Sequence, residues 1–338
     1  MKKIFSLFVL ATTLSCSSTK VTKSADNSDP TKYMNTITAN ELKTHLYIVA
    51  ADGMEGRETG SAGQKRAGTY LISQYVKNNI SFPKGATNFY QKVPAAFLNA
   101  KRDQSLPDSE NIWAFIEGSE KPNEIVVISA HYDHVGVKNG DVYNGADDDG
   151  SGTVALLEIS EAFQKAKKDG HGPKRSIMFL HVTGEEHGLL GSSYYSENPL
   201  FPMENTITDI NIDMIGRRDA AHANTNNYVY VIGADRLSSD LDIITATANK
   251  KYVQMDLDYK YNDSADPNHF YERSDHYNFA KHGVPSVFLF NGVHADYHQK
   301  SDTPDKIEYD ALTKRARLAF TMAWELANRE NRPVVDKK

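Results

Sequence analysis

Between residues 111 and 328, short and strongly apolar runs alternate with segments of helical periodicity. The apolar runs cover residues 111–116, 125–130, 176–183, 207–212, 228–232 and 286–290, and the helical segments cover residues 153–167, 189–197, 240–248 and 310–328. Short runs that are apolar throughout are typical of strands buried on both faces of a parallel sheet. Strands that alternate with helices imply helices on both faces of that sheet. We therefore predict an α/β fold: a single domain with a central, mostly parallel mixed β-sheet sandwiched by helices.

The sequence before residue 111 is less regular. A helix is predicted to begin near residues 38–41 and a second to cover residues 62–78, with a glycine-punctuated loop at residues 54–60 between them. Segment 81–110 mixes prolines with short apolar runs and has room for one or two edge strands. No internal repeat and no second domain is visible.

Composition excludes some classes of function. The formal net charge is −6 and no dense block of lysine and arginine occurs, so the sequence argues against a nucleic-acid partner. The chain has one cysteine, which excludes an internal disulfide and a thiolate metal site.

Residues that can bind metal ions follow four of the predicted strands. They are His131, the adjacent pair Glu185 and Glu186, Asp213 and, after the last strand, His298. The carboxyl ends of parallel strands meet at one edge of a sheet, where the ligand sites of open α/β sheets lie. Two adjacent carboxylates in one site repel each other unless a cation compensates them. We therefore expect these side chains to converge on metal ions.

The donor types indicate which metal is bound. Imidazole and carboxylate ligands suit zinc, for which cobalt or manganese can substitute. A two-metal centre needs one bridging carboxylate and, at each metal, a terminal imidazole and a terminal carboxylate. Three acids and two histidines fill this pattern, which leaves Glu185 free to act as a general base. The turn Gly145-Ala-Asp-Asp-Asp-Gly150 supplies further acids, of which Asp147 and Asp149 are expected to support the loop.

The motifs resemble those of the zinc aminopeptidases of the M28 metallopeptidase family. The matching segments occur in the family's order between about Tyr47 and Asp305: His131-Tyr-Asp-His, Gly145-Ala-Asp-Asp-Asp-Gly-Ser-Gly152, Gly184-Glu-Glu-His-Gly-Leu-Leu-Gly-Ser192, Asn211-Ile-Asp-Met-Ile-Gly216, Ser274-Asp-His-Tyr and Tyr297-His. The resemblance implies that His131, Asp148 and Asp213 bind one zinc and that Asp148, Glu186 and His298 bind the other. It also implies that Asp148 is the bridge and is followed by a cis peptide bond to Asp149.

The sequence also predicts roles for residues near these ligands. Asp133, two residues after His131, is placed to accept the second ring N–H of that histidine and so fix its tautomer. Asp302 is a candidate for the same role at His298. The Tyr297 hydroxyl either donates to the oxyanion, as in some relatives, or only packs, and Arg273 either contacts substrate or is a solvated charge. Other histidines are expected to be surface or core residues, namely His134, His181, His187, His269, His282 and His294.

The sequence thus predicts a metallo-aminopeptidase with two zinc ions. It is expected to remove N-terminal residues from peptides with a free N-terminus, by means of a water that Glu185 deprotonates. The alternatives are a glutaminyl cyclase with a single zinc, an amidohydrolase or carboxypeptidase on the same fold, and a non-catalytic lipoprotein that binds peptides. The oligomeric state is not predicted.

The N-terminus has the features of an export signal. Two lysines precede a mostly apolar stretch at residues 4–14, which is too short to span a bilayer. Cys16 follows, and the arrangement resembles a bacterial lipoprotein signal in which Cys16 carries the lipid; an ordinary cleaved signal is the alternative. We expect a signal peptide at 1–15, a flexible tether at 16–35, the M28-like peptidase domain at 36–330 and a C-terminal tail at 331–338. The expected location is the periplasm or the outer membrane through a lipid anchor, with the cell surface or secretion as further options.

Overall fold

The computed structural model of the protein describes residues 29–100 and 104–337. Its strands are, in chain order, β1 (Tyr90–Val93), β2 (Ser109–Ile116), β3 (Lys121–His131), β4 (Val137–Lys138), β5 (Asp141–Val142), β6 (Arg175–Val182), β7 (Thr206–Ile212), β8 (Tyr228–Ile232), β9 (Asp256–Asp258) and β10 (Ser286–Phe290). Its α-helices are α1 (Thr31–Met34), α2 (Ala39–Val49), α3 (Ala62–Lys77), α4 (Ala95–Leu98), α5 (Gly152–Lys168), α6 (Leu190–Glu197), α7 (Ser239–Ala248), α8 (His276–Ala280) and α9 (Tyr309–Asn328).

The main sheet has the strand order β1-β2-β6-β3-β7-β10-β8-β9. Its four central strands, β6, β3, β7 and β10, run parallel to one another. The pairs β1–β2, β2–β6 and β10–β8 are antiparallel, and β9 pairs in parallel with β8 at the far edge. The predicted fold class, a mostly parallel mixed sheet, is therefore confirmed.

Helices cover both faces of the sheet. Because successive side chains of a strand point to opposite faces, Val126 of β3 packs in the core beneath α5 and α9, whereas Val127 packs in the core beneath α6 and α8. Local signals set the helix starts: Thr38 Oγ1 accepts from Glu41 N at 3.3 Å and donates to the Glu41 carboxylate at 2.7 Å, a side-chain cap that begins α2.

Both ends of the described chain are part of the folded body. In α1, Tyr33 is buried and stacks on Trp324 of α9 with ring centroids 5.8 Å apart. Near the C-terminus, the Asp336 carboxylate accepts from Ser239 N at 2.9 Å, at the start of α7. The last part of the segment predicted as a tether, residues 16–35, contains α1 (Thr31–Met34). The predicted signal segment and Cys16 lie outside the described residues. Over residues 29–100 and 104–337, no helix is long and apolar enough to cross a membrane.

A buried histidine in the sheet makes stability depend on pH. His181 of β6 is fully buried, and its Nε2 lies 2.7 Å from the Tyr75 hydroxyl. Burial lowers the pKa of His181 to about 3. Because the unfolded imidazole, with a pKa of 6.5, binds a proton that the folded one excludes, stability is lost as the pH falls below 6.5.

Between pH 7 and pH 5, protonation of the unfolded His181 should cost the wild type about 2 kcal/mol of unfolding free energy. We expect His181→Asn to abolish this part of the pH dependence. Urea unfolding of the zinc-loaded proteins at both pH values measures this difference. Tyr75→Phe is the matched control, since it removes the partner of His181 and keeps the titrating group, so its pH dependence should equal that of the wild type. Equal pH dependence in His181→Asn and the wild type would contradict the assignment.

Candidate metal centre

The carboxyl ends of the central strands bring the predicted metal-binding residues together. His131 is the last residue of β3, Asp213 directly follows β7, and Glu186 lies four residues after β6. Asp148 lies in the tight turn Ala146–Ser151 before α5, and His298 lies in the loop between β10 and α9. The peptide bond between Asp148 and Asp149 is cis, as predicted.

Asp148 stands between two groups of donors. Its Oδ1 lies 3.2 Å from His131 Nε2, and its Oδ2 lies 3.0 Å from His298 Nε2. On one side, His131 Nε2 is 3.5 Å from Asp213 Oδ1; on the other, His298 Nε2 is 3.0 Å from Glu186 Oε2. The two oxygens of Asp148 therefore face two different imidazole–carboxylate pairs.

Two neighbouring side chains complicate this grouping. Donor atoms of His131, Asp149 and Asp213 lie within 4.8 Å of one another, as do those of His134, Asp148 and Glu186. Asp149 Oδ1, however, accepts from Gly152 N at 2.9 Å and from Met214 N at 3.1 Å. Since that oxygen is committed to backbone amides, we interpret Asp149 as loop support and Asp148 as the residue between the two donor groups.

The donor set fits zinc. Zinc bonds of about 2.0–2.1 Å in tetrahedral geometry place neighbouring donor atoms about 3.3 Å apart, close to the 3.0–3.5 Å measured between these imidazole and carboxylate atoms. Within the described part of the chain, Asp148 Oδ2 and Glu186 Oε1 are buried and accept no hydrogen bond. Buried polar atoms without such partners are costly, and a bound cation would satisfy them.

Glu185 differs electrostatically from its neighbours. Burial acts to raise the pKa of Asp148, but the imidazoles of His131 and His298 hold it well below its ordinary value. Burial raises the pKa of Glu185 well above its ordinary value, assisted by the carboxylates of Asp213 and Glu186. Carboxyls whose environments separate their pKa values are suited to different roles. Glu185 Oε2 also lies 4.0 Å from His131 Nε2, at the edge of the donor set.

Asp133 contacts His131 in a way that was not predicted. His131 Nδ1 lies 3.1 Å from the Asp133 carbonyl oxygen and 3.8 Å from its carboxylate, so the main chain rather than the side chain accepts the ring N–H. The carboxylate instead accepts from Thr59 Oγ1 at 2.8 Å and from Glu185 N at 3.2 Å. Asp133 thus positions the main chain of Glu185 as well as the His131 ring.

Arg57 joins two segments of the metal centre, and the sequence did not predict this role. Arg57 is fully buried and donates to the carbonyl oxygens of Val49, Tyr132, Asn144 and Gly145 at 2.7–3.0 Å. It therefore ties the chain after His131 to the chain before Asp148.

Asp302, a candidate partner of His298, contacts a different segment. Its carboxylate accepts from Asp147 N at 3.0 Å and from Asp148 N at 3.2 Å. The contact that the structure gives the Asp302 carboxylate is therefore with the turn that carries Asp148, and its role at His298 stays a prediction.

A pocket opens beside Asp148, Glu185 and Asp213. The rest of its lining is mainly apolar: Met214, Phe270, Phe288, Phe290 and Val293, with Arg273 and Tyr297. The Tyr297 ring stacks on His298 with centroids 3.9 Å apart, and Arg273 Nη2 lies 3.5 Å from the Tyr297 hydroxyl. Burial and the nearby carboxylates raise the pKa of Tyr297, so its hydroxyl keeps its proton and can donate. Arg273 is therefore at the pocket and not an isolated surface charge.

The fold and the donor set define the class: an α/β protein with a candidate metal centre at the carboxyl edge of a mostly parallel sheet. The pattern of Peptidase family M28 matches residues 111–323, more than half of the 338 residues. The chain belongs to this family.

Individual relatives agree with this assignment. A probable leucine aminopeptidase of Trichophyton verrucosum (strain HKI 0517) is 31 % identical over 228 residues, which cover 64 % of this chain and 57 % of that protein. The chain thus spans little more than half the length of that relative. The structure resembles an aminopeptidase from Aneurinibacillus sp. strain AM-1 (TM-score 0.67, 16 % identity, 92 % and 98 % of the two chains). It also resembles a Zn-dependent exopeptidase from Parabacteroides distasonis ATCC 8503 (TM-score 0.64, 19 % identity, 87 % and 99 %).

Proposed function

We propose that the protein is a two-zinc aminopeptidase that removes N-terminal residues from peptides. The observation that carries the proposal is the position of Asp148, whose two carboxylate oxygens each face an imidazole–carboxylate pair. The buried Glu185 lies beside this group and the apolar pocket opens next to it. Family membership and the leucine aminopeptidase relative support the same activity.

Each residue of the donor set has a proposed role. His131 and Asp213 would hold one zinc, Glu186 and His298 would hold the other, and Asp148 would contact both. Cobalt or manganese can occupy such nitrogen and oxygen sites in place of zinc. When bound, the two ions lower the pKa of a water molecule and polarise the scissile carbonyl group.

Glu185 is the proposed general base. Its raised pKa favours acceptance of the proton from the attacking water, and the same carboxyl can pass that proton to the leaving amine. The hydrogen bond from Glu185 N to the Asp133 carboxylate holds the main chain of this residue in place.

Tyr297 is proposed to donate its hydroxyl to the oxygen that becomes negative in the transition state. Tyr297→Phe should lower kcat by about 10²-fold with a small change in KM, because a donor to a developing oxyanion acts mainly in the transition state. The ring stack on His298 is retained in this variant. Tyr261→Phe, which removes a hydroxyl outside the pocket lining, is the control and should leave kcat unchanged. Equal kcat in Tyr297→Phe and the wild type would assign Tyr297 to packing alone.

The proposed substrate is a peptide with a free N-terminus and an apolar first side chain. The carboxylates at one end of the pocket can pair with the α-ammonium group, and the walls formed by Met214, Phe270 and Phe288 suit an apolar side chain. Among the described residues that line the pocket, Arg273 is the one cation that would favour an acidic first side chain.

A mixed peptide pool tests this function. Zinc-loaded protein would be incubated with free peptides, their N-acetylated copies and peptides that begin with glutamine, and the products would be followed by mass spectrometry. We expect stepwise loss of N-terminal residues from the free peptides, fastest for leucine and phenylalanine, and no change in the acetylated copies. A chelator should abolish the reaction and added zinc should restore it.

Each other outcome points to a different activity. Loss of ammonia from the glutamine peptides would indicate a cyclase, and trimming from the C-terminus would indicate a carboxypeptidase. An unchanged pool would contradict peptidase activity and favour a peptide-binding protein.

Export of the protein is a separate proposal that rests on sequence alone. The signal-like residues 1–15 and Cys16 favour a lipoprotein anchored in the periplasm or outer membrane. Metabolic labelling with a radioactive fatty acid should mark the wild type and not Cys16→Ser, and labelling of both proteins or of neither would contradict a lipid on Cys16.

A further inference from the structure

His134 has the burial of a core residue but lacks the contacts of one. It lies three residues after His131 and is fully buried, and its backbone N–H donates to the Arg57 carbonyl at 3.1 Å. Among the residues that the structure describes, neither ring nitrogen of His134 has a hydrogen-bond partner. Two unpaired nitrogens on one buried imidazole are costly unless another group satisfies them.

The chain leaves room for this ring beside the donor set. A side-chain carbon on Gly145 would come within 2.5 Å of His134 ring atoms, so only glycine fits at this position. The φ of Gly145 is +54°, in the left-handed region that glycine adopts readily. The turn that leads to Asp148 is therefore shaped around the His134 imidazole.

The ring faces the same carboxylates as His298 does. His134 Nδ1 lies 2.7 Å from Glu186 Oε1 and 3.7 Å from Asp148 Oδ2, and its ring meets the His298 ring edge-on at 5.8 Å. His298 contacts the other oxygen of Glu186, Oε2. The two histidines thus approach one pair of carboxylates from two sides.

A simple hydrogen bond does not account for this contact. A distance of 2.7 Å between His134 Nδ1 and Glu186 Oε1 is short enough, yet the atoms are not aligned and both lack a hydrogen bond within the described ranges. Donor atoms of His134, Asp148 and Glu186 all lie within 4.8 Å of one another, close enough for the three side chains to hold one ion.

We propose that His134 is an additional protein ligand of the metal held by Asp148, Glu186 and His298, an inference that rests on the proposed metal centre. Two imidazoles and two carboxylates would then surround this metal, compared with His131, Asp148 and Asp213 at the other. The two sites would differ in affinity, and the site with His134 would release its ion more slowly.

Zinc X-ray absorption of the wild-type protein gives the first test, because it counts imidazoles without any variant. We expect three imidazoles for two zinc ions. A count of two would overturn the inference, and a protein that binds no zinc would overturn the proposed metal centre together with it.

The second test compares His134→Gln with His298→Gln and with His181→Asn, a control that removes a buried imidazole outside the donor set. Zinc content, competition with a chelator and the visible spectrum of the cobalt-loaded proteins would be measured. We expect His134→Gln to weaken one of the two sites by more than 100-fold, beyond the 10–100-fold typical of residues that only support a ligand, and to change the cobalt spectrum. The control should resemble the wild type. If His298→Gln loses metal while His134→Gln keeps wild-type affinity and spectrum, the metal centre stands and this inference fails.

Discussion

Glu185→Gln is expected to lower kcat by about 10²–10⁴-fold while the protein keeps its full metal content. The substitution replaces one carboxylate oxygen by an NH2 group, and the resulting amide has nearly the same shape. It therefore removes the proton acceptor with little change in packing. The backbone contact from Glu185 N to the Asp133 carboxylate does not depend on the side chain and should persist. Steady-state kinetics on a leucine-initiated peptide, with metal analysis of the same sample, measure both quantities.

The adjacent acid provides the matched control. Glu186 Oε2 contacts His298 Nε2 at 3.0 Å and its Oε1 faces His134, so Glu186→Gln should lower the zinc content as well as the rate. Two neighbouring substitutions of the same chemistry would then separate base from ligand. Normal turnover by Glu185→Gln would contradict its assignment as the base, and loss of metal from Glu185→Gln would make it a ligand.

The central fold could be predicted because each parallel strand is buried on both faces. β6, for example, is buried along its whole length, and the apolar run at residues 177–180 marks the strand in the sequence. The elements that were missed lack such a signal. β9 has only three residues, Asp256–Asp258, and pairs with the edge of β8. α8 has only five residues, which are too few to show a helical period.

In the candidate site, too, features set by local sequence could be predicted, whereas contacts between distant segments could not. The donors could be selected because each follows a strand or lies in a recognisable turn, and the topology then brings them to one edge. Contacts made across loops could not be predicted. Nothing around Arg57 in the sequence indicates that it is buried, and the atom of Asp133 that meets His131 depends on the exact path of the backbone. His134 looked like any other histidine, because its neighbours Glu186 and His298 are distant in sequence.

Arg57 is expected to contribute strongly to the stability of the site, although it does not line the pocket. Its guanidinium donates to carbonyl groups of three separate segments, before α3, after β3 and before Asp148, and all of these hydrogen bonds are buried. Replacement of a buried charged donor leaves its acceptors unpaired, so Arg57→Met should lower the free energy of unfolding by about 3–5 kcal/mol. The surrounding carboxylates of Asp302 and Asp148 would also lose a compensating charge.

Arg66→Met is the control for this prediction. Arg66 lies in the following helix, α3, and donates to the Gly53 carbonyl, but its side chain is 44 % exposed, so its loss should change the unfolding free energy by less than about 0.5 kcal/mol. Urea unfolding followed by circular dichroism compares the two variants with the wild type. Zinc binding should weaken in Arg57→Met and not in Arg66→Met, because only Arg57 fixes the distance between the chain after His131 and the chain before Asp148. Small and equal losses of unfolding free energy in both variants would mean that the chain after His131 and the chain before Asp148 keep their positions without the Arg57 guanidinium. The donor set would then be held by the sheet and by Asp302.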